Sequence, residues 1–230
     1  VNGSALVEGV AETVGAHVPL SGGLAGDGAA FAETLVACNS APRSGVVAAI
    51  GFYGTAIQFG HALAGGWDVF GPKRKITRYS GNVLLEVDGK PALVLYKLYL
   101  GPEESQQLPG SALLFPMCIF DPRHPDQAVV RTVLAVDGGT GSMTFAGDMP
   151  VDWTAQLMHG SFGRLCGGAA DAMHLATREL DATPHGQSAA ILVSCIGRRL
   201  LMGQRIEEEV EAVTAELPNG CLPIGFYSYG

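Results

Sequence analysis

Thirty-two of the 230 residues are glycine, about twice ordinary usage, and they lie scattered between the apolar runs. They follow no collagen-like period and form no low-complexity block. They read as tight turns, bulges and close backbone approaches between short elements. Hydrophobic residues make up 47% of the chain and charged ones only 16%, so a sizeable core can be buried and disorder is excluded away from the ends. The length fits one large domain or two small ones.

Periodicity predicts a helix over residues 3–15, with Leu6, Val7, Val10 and Val14 on one face and Gly15 as its stop. An extended piece, His17 to Leu20, leads into the glycine-rich turn Ser21 to Gly28. Strands are expected at Glu33–Cys38, Val46–Tyr53 and Ala56–Ala62, the last two joined as a hairpin through Gly54-Thr55. Gly65-Gly66 and Gly71-Pro72 break the pattern, which places a domain boundary near Gly65 and divides the chain into residues 1–64 and 65–230. The second part opens with a strand at Val83–Val87, an Asp88-Gly89 turn and a helix from Pro91 to Leu100 that stops at Gly101. After a surface loop at 102–112, strands are expected at Pro116–Phe120, Val129–Val136, Ser142–Ala146 and Trp153–Met158, with a hairpin turn at Asp137–Gly141. Phe162, Leu165, Ala169, Met173, Ala176 and Leu180 line one face of a long helix, on which Gly167-Gly168 let another segment pack close. A buried strand at Ala189–Ser194, a helix from about Ile196 to Leu217 and a strand at Ile224–Tyr229 follow. The class is mixed α/β (α+β), with mixed or antiparallel sheets covered by helices. A helix, short strand and Gly-containing turn at 3–27 recur at 161–199, which suggests two related subdomains facing a shared cleft.

The formal net charge is −8, and Lys plus Arg number 14. The one basic cluster, Lys73-Arg74-Lys75 with Arg78, is short and lacks an aromatic platform, so no nucleic-acid partner is expected. No apolar run approaches the ~20 residues of a spanning helix and no signal peptide opens the sequence, so no membrane is expected. Five cysteines at irregular spacing argue against a disulfide framework; without a CxxC or His-x-x-x-His pair, a structural zinc site is not expected either. A reducing, cytoplasmic location fits best. The opening at Val1 and the stop after Gly230 read as the ends of an excerpt.

Two stretches can carry chemistry. A buried strand ends at Cys195 and Gly197 lies in the first turn of the next helix, where free N–H groups favour an anion. Arg198 or Arg199 could clamp a carboxylate there. The same setting would activate the Cys195 thiol; the alternative is a small packing residue, with one arginine merely paired to Glu208. In the second stretch Gly22, Gly23, Gly26 and Gly28 let backbone approach a ligand, and Asp27 supplies a fixed charge. Asp27 for an ammonium and Arg198 for a carboxylate would suit a zwitterion; the alternative is Asp27 capping its own backbone. Tyr227 and Tyr229 alternate with small residues in the last strand and either line a pocket or pack on a sheet face. A haem would need an axial histidine in an apolar pocket, and His17, His61 and His159, beside expected strands, are the candidates; His124 and His185 read as exposed. There is no P-loop, no GxGxxG opening a helix and no GxSxG elbow. A Cys195–His pairing is left as the minor enzymatic alternative, and the expectation is a protein that is not an enzyme.

Four strings in order resemble the FIST family of F-box and intracellular signal transduction proteins. PLSGGLAGD, Pro19 to Asp27, resembles the end of the FIST N domain. SGNVLLEVDGKPALVLYKLYLG, Ser80 to Gly101, resembles the opening of the FIST C domain. LVSCIGRRLLMGQRIEEEV, Leu192 to Val210, and GFYSYG, Gly225 to Gly230, resemble its closing motifs. On the family's pattern, residues 1–64 correspond to the later part of FIST N and 65–230 to FIST C. The first half of FIST N and a short tail after Gly230 are expected outside this sequence. The resemblance implies a sensory input role, with a small ligand such as an amino acid bound between the two parts and an output partner such as a histidine kinase or cyclase. Some members resemble haem proteins that sense nitric oxide, which makes haem an alternative ligand. Eukaryotic members carry an F-box and recognise proteins, which makes a recognition scaffold another.

Overall fold

The computed structural model describes residues 2–15, 17–178, 180 and 187–229. Its central element is β1 (Trp67–Ser80), which pairs along its first part with β8 (Thr154–Gly160) and along its last part with β2 (Val83–Val87). The Gly71-Pro72 break predicts no strand here. The break is instead absorbed as a bulge: Gly71 sits at φ 69° and the β1–β8 register slips between Phe70 and Arg74. The basic cluster on β1 is neutralised locally. Arg74 pairs with Asp88 at 3.1 Å, Lys75 with Asp152 at 2.8 Å, Arg78 with Glu86 at 3.0 Å, and Lys73 lies 3.8 Å over the Phe120 ring.

Around β1 lies an antiparallel sheet in the order β5 (His124–Arg131), β4 (Met117–Asp121), β8, β1, β2, β7 (Ser142–Phe145), β6 (Val133–Asp137), with the short β3 (Lys90–Pro91) beside β2. Met117 and Ile119 of β4 share one core with Val133 of β6, although these strands lie towards opposite ends of that order. The sheet therefore curls, and α2 (Ala92–Gln106) closes it with Leu93 and Tyr96. Tyr96 is fully enclosed, its hydroxyl donates to the Phe115 carbonyl at 2.8 Å, and burial holds its pKa far above the usual phenol range. Under α2, a cavity of about 20 Å³ lined by Leu84, Tyr99, Met117 and Met143 holds a water at most.

Local chemistry explains where elements differ from expectation. Gly101, at φ 83° and ψ 175°, kinks α2 without ending it, and Pro102 restarts the helix where a surface loop is expected. The expected strand Val129–Val136 is two strands, β5 and β6, divided at Thr132. The helix expected from Ile196 to Leu217 is divided by Gly203, at φ 53°, into α4 (Ile196–Met202) and α5 (Glu207–Ala215). Between α3 (Phe162–Arg178) and α4 runs β9 (Ala189–Cys195), which pairs in parallel with β10 (Leu222–Ser228) as a separate two-stranded sheet.

Before β1 the chain is mostly irregular. α1 (Gly3–Val14) is capped by the Asn2 side chain and stopped by Gly15 at φ 92°, but its apolar face is open, with Val7 57% exposed. Among the described residues, the strands expected at Glu33–Cys38, Val46–Tyr53 and Ala56–Ala62 do not form, apart from a single bridge between Val36 and Arg43. A β-forming sequence becomes a strand only where a neighbour offers its hydrogen bonds.

Gly65-Gly66 crosses α3 at Gly168, where an added Cβ would lie 2.7 Å from the Gly66 nitrogen, while a Cβ on Gly167 would meet nothing. Adjacent glycines should therefore respond with opposite sign. Gly168→Ala is expected to destabilise by about 1–3 kcal/mol through overpacking. Gly167→Ala should stabilise by about 0.5–1 kcal/mol through helix propensity. Urea denaturation of both variants checks the pair.

Candidate functional site

The carboxyl ends of β9 and β10 lie side by side, with Ser194 opposite Tyr227 and Cys195 opposite Ser228. The Ser21–Gly28 turn is laid against them. Ala25 bridges to Ser228, and the Tyr229 N–H donates to the Leu24 carbonyl at 3.0 Å. The contact is close enough to require glycine at position 23, while position 26 lies at ordinary contact distance. A Cβ on Gly23 would lie 2.8 Å from Ser228 Cβ and Val193 Cγ1, and one on Gly26 would touch the Tyr229 ring at 3.4 Å. Gly22 is exposed, with open space where its Cβ would be.

Asp27 is the knot of this turn. Its carboxylate accepts from the backbone N–H groups of Phe31 (3.1 Å), Ala32 (2.7 Å) and Glu33 (2.9 Å), and from the Tyr229 hydroxyl. Phe31 stacks on the Tyr229 ring at 5.2 Å. The Tyr229 hydroxyl, then the backbone donors, hold the Asp27 carboxyl below its ordinary 3.8, and the Tyr229 phenol is pushed up to about 12 by burial and by Asp27. A depressed carboxyl stabilises the fold above its unfolded pKa, so this contribution is complete near neutrality and is lost as pH falls below the ordinary value. With these bonds made, Asp27 caps its own loop.

Arg198 is 6% exposed; its two terminal nitrogens are hydrogen-bonded, and its buried Nε has a charge contact without hydrogen-bond geometry. It donates to the Gly65 carbonyl at 2.7 Å and to the Leu165 carbonyl, and its Nε lies 2.6 Å from Glu209 Oε1. The other Glu209 oxygen accepts from Ser194 at 2.9 Å. The network joins the Gly65 segment, α3, β9 and α5. Glu208 takes a different arginine, Arg205, at 2.6 Å. Sequence spacing did not point to Glu209, Ser194 or the two carbonyls, because these partners meet only through tertiary packing. Arg199 is the open cation: it is exposed, stacks 4.9 Å over the Tyr227 ring and has no acidic partner among the described residues.

The Cys195 thiol is pushed up by burial, which outweighs hydrogen bonds from the Arg198 and Gly197 N–H groups, so it is held as a thiol. Next to it, a Cβ on Gly197 would collide with the Leu113 carbonyl, so α4 packs directly on the turn at 110–114. The three candidate axial histidines lie on separate segments. His17 and His61 are exposed, the latter against Phe59, and exposed His159 meets the Phe70 ring edge-on at 5.5 Å. None of the three sits in the enclosed apolar pocket that a haem needs, so these residues do not fit the group. His124 is on β5, His174 lies 3.6 Å from Glu216, and His185 falls outside the described residues. Among the described residues, no cluster of three His, Cys, Asp or Glu side chains could hold a metal ion.

Neighbouring arginines should separate structure from surface. Arg198→Ala leaves Glu209 buried without its charge partner and is expected to cost about 3–5 kcal/mol. Arg199→Ala should change unfolding free energy by less than about 0.5 kcal/mol. Denaturant titration of both variants reads the difference.

Comparison with known proteins places this arrangement. Residues 1–90 match the FIST N domain and residues 92–230 the FIST C domain. The division at 90–92 falls within β3, just before α2, so the curled sheet draws strands from both matched regions, and the Ser80–Gly101 string is split about evenly by it. No curated protein and no solved structure gives a significant match. With the FIST C match alone covering more than half of the sequence, the chain belongs to the FIST family of sensory domains found in signal-transduction proteins.

Proposed function

We propose that this chain is the input part of an intracellular signalling protein. It binds a small anionic organic ligand, an amino acid or similar carboxylate, at the carboxyl ends of β9 and β10. The observation that carries this reading is the open Arg199 guanidinium stacked on Tyr227, at the end of a parallel strand pair against which a glycine-rich turn is held. Ligands of open α/β sheets sit beyond the carboxyl ends of parallel strands, and a planar guanidinium on an aromatic face is pre-oriented for a carboxylate. Arg198 and Asp27 are the supports of this corner. Arg198 fixes α4 and thereby Arg199, and Asp27 fixes the turn through Tyr229. Through Arg198 a ligand-bound state reaches α3 and α5, the route to an output partner such as a histidine kinase or cyclase.

A thermal-shift screen of amino acids and small carboxylates, followed by calorimetry, tests the site. Arg199→Ala is expected to weaken binding at least tenfold with the unliganded melting temperature unchanged, and Arg199→Lys to recover only part of it. Saturable binding indifferent to both changes would remove Arg199 from the site.

Haem is not favoured by the histidine positions. Protein supplied with haemin should show no Soret band of its own, and a band that shifts with nitric oxide would reverse that reading. A recognition scaffold is a second reading, favoured by one observation: broad apolar exposure over residues 46–63 and the β9–β10 pair, including Ile50 at 80% and Ile224 at 68%.

A further inference from the structure

β9 pairs only with β10 and, among the described residues, has no strand on its outer edge. Neither strand contains a charged residue, and both carry bulky apolar side chains in near-continuous runs, the composition of parallel strands covered on both faces. Here the faces are wet: Ile191 is 59% exposed and Leu222 70%. A lone pair of strands is marginal in water.

The same chain carries the complement. Residues 46–53 are a β-forming apolar run, irregular and without a ladder partner among the described residues, with Val47 66% and Tyr53 90% exposed. No charged residue occurs between Arg43 and Asp68. A β-forming run without a sheet and a sheet edge without a neighbour thus share one uncharged chemistry. Within one copy they are not paired: the run is anchored on either side by the Val36–Arg43 bridge and by Gly60 packed on the Ala176 carbonyl at the end of α3, and β9 pairs with β10 alone. The exposed apolar side chains of the two stretches offer on the order of 1,000 Å², against the ~800 Å² that each partner contributes to a stable interface.

We propose that this face is a two-fold interface between copies of this chain, in which residues 46–53 of each copy add as a strand to the outer edge of β9 in the other. Under a two-fold axis each copy is donor to and acceptor from the same partner, which closes the assembly at two copies, whereas head-to-tail use of the same patches would run on. Main-chain hydrogen bonds along β9 would supply the pairing, and the apolar side chains a dry face.

Sedimentation velocity over a concentration series tests this with the intact chain. The wild type is expected as a dimer. Ile50→Lys and Ile191→Lys each place a charge on a side chain exposed in the single copy, and each should raise the dimer dissociation constant at least tenfold with the far-ultraviolet circular dichroism unchanged. Mixing the two variants restores one unblemished junction of two, so the mixture should dimerise more tightly than either alone. Amide exchange in residues 46–53 should slow as concentration rises. A wild type that stays monomeric would overturn the proposal and leave the face to a different protein. A dimer indifferent to both substitutions, or open-ended association, would overturn it as well.

Discussion

The buried charge of Arg198 requires several segments to be in place at once. Removing a guanidinium from water costs several kcal/mol, recovered only if a counter-charge and acceptors surround it. Here the counter-charge comes from α5, one acceptor from α3 and another from the segment before β1, while Ser194 of β9 holds the carboxylate. None of these can be misplaced without leaving a polar group stranded, so the pair specifies how the helices sit on the strand ends more than it adds net stability. The Gly65-Gly66 crossing of Gly168 follows from the same requirement, since the Gly65 carbonyl must reach Arg198 over the surface of α3.

The curled sheet and the parallel pair treat the same kind of sequence differently. In the sheet, Ile76, Leu84, Met143 and Phe145 are fully enclosed, because strands on both sides and α2 above supply neighbours. In the parallel pair, strands of equal apolar content remain wet. The contrast is one of supply, and burial follows from neighbours as much as from the residue itself.

Legibility in the sequence follows the range of the forces involved. The α3 stripe, the Asp88-Gly89 turn, the 137–141 hairpin and β9 were readable because each depends on contacts a few residues apart. The glycine turn and the Cys195–Arg199 stretch were recognisable as a pair of special places, and the fold does set them beside each other. Their internal division of labour was not readable. Arg198 and Arg199 are adjacent letters, yet one faces Glu209 and the other faces solvent, a difference fixed by α5 packing and not by either residue. β1 was hidden because a bulge spends its Gly-Pro pair inside a strand, and the strands expected between 33 and 62 failed for the opposite reason, a local propensity without a partner.

The bond between Asp27 and Tyr229 spans 202 positions of the chain. Synthesis proceeds from the amino end at about 5–20 residues per second, so the Ser21–Gly28 turn emerges from the ribosome well before the phenol that fastens it. Through that interval Asp27 has only the neighbouring amides, and the turn waits with its glycines unpacked. β10 is thus a closing step in time as well as in space: the corner where a ligand is proposed to bind cannot form on a nascent chain until Tyr229 has been made.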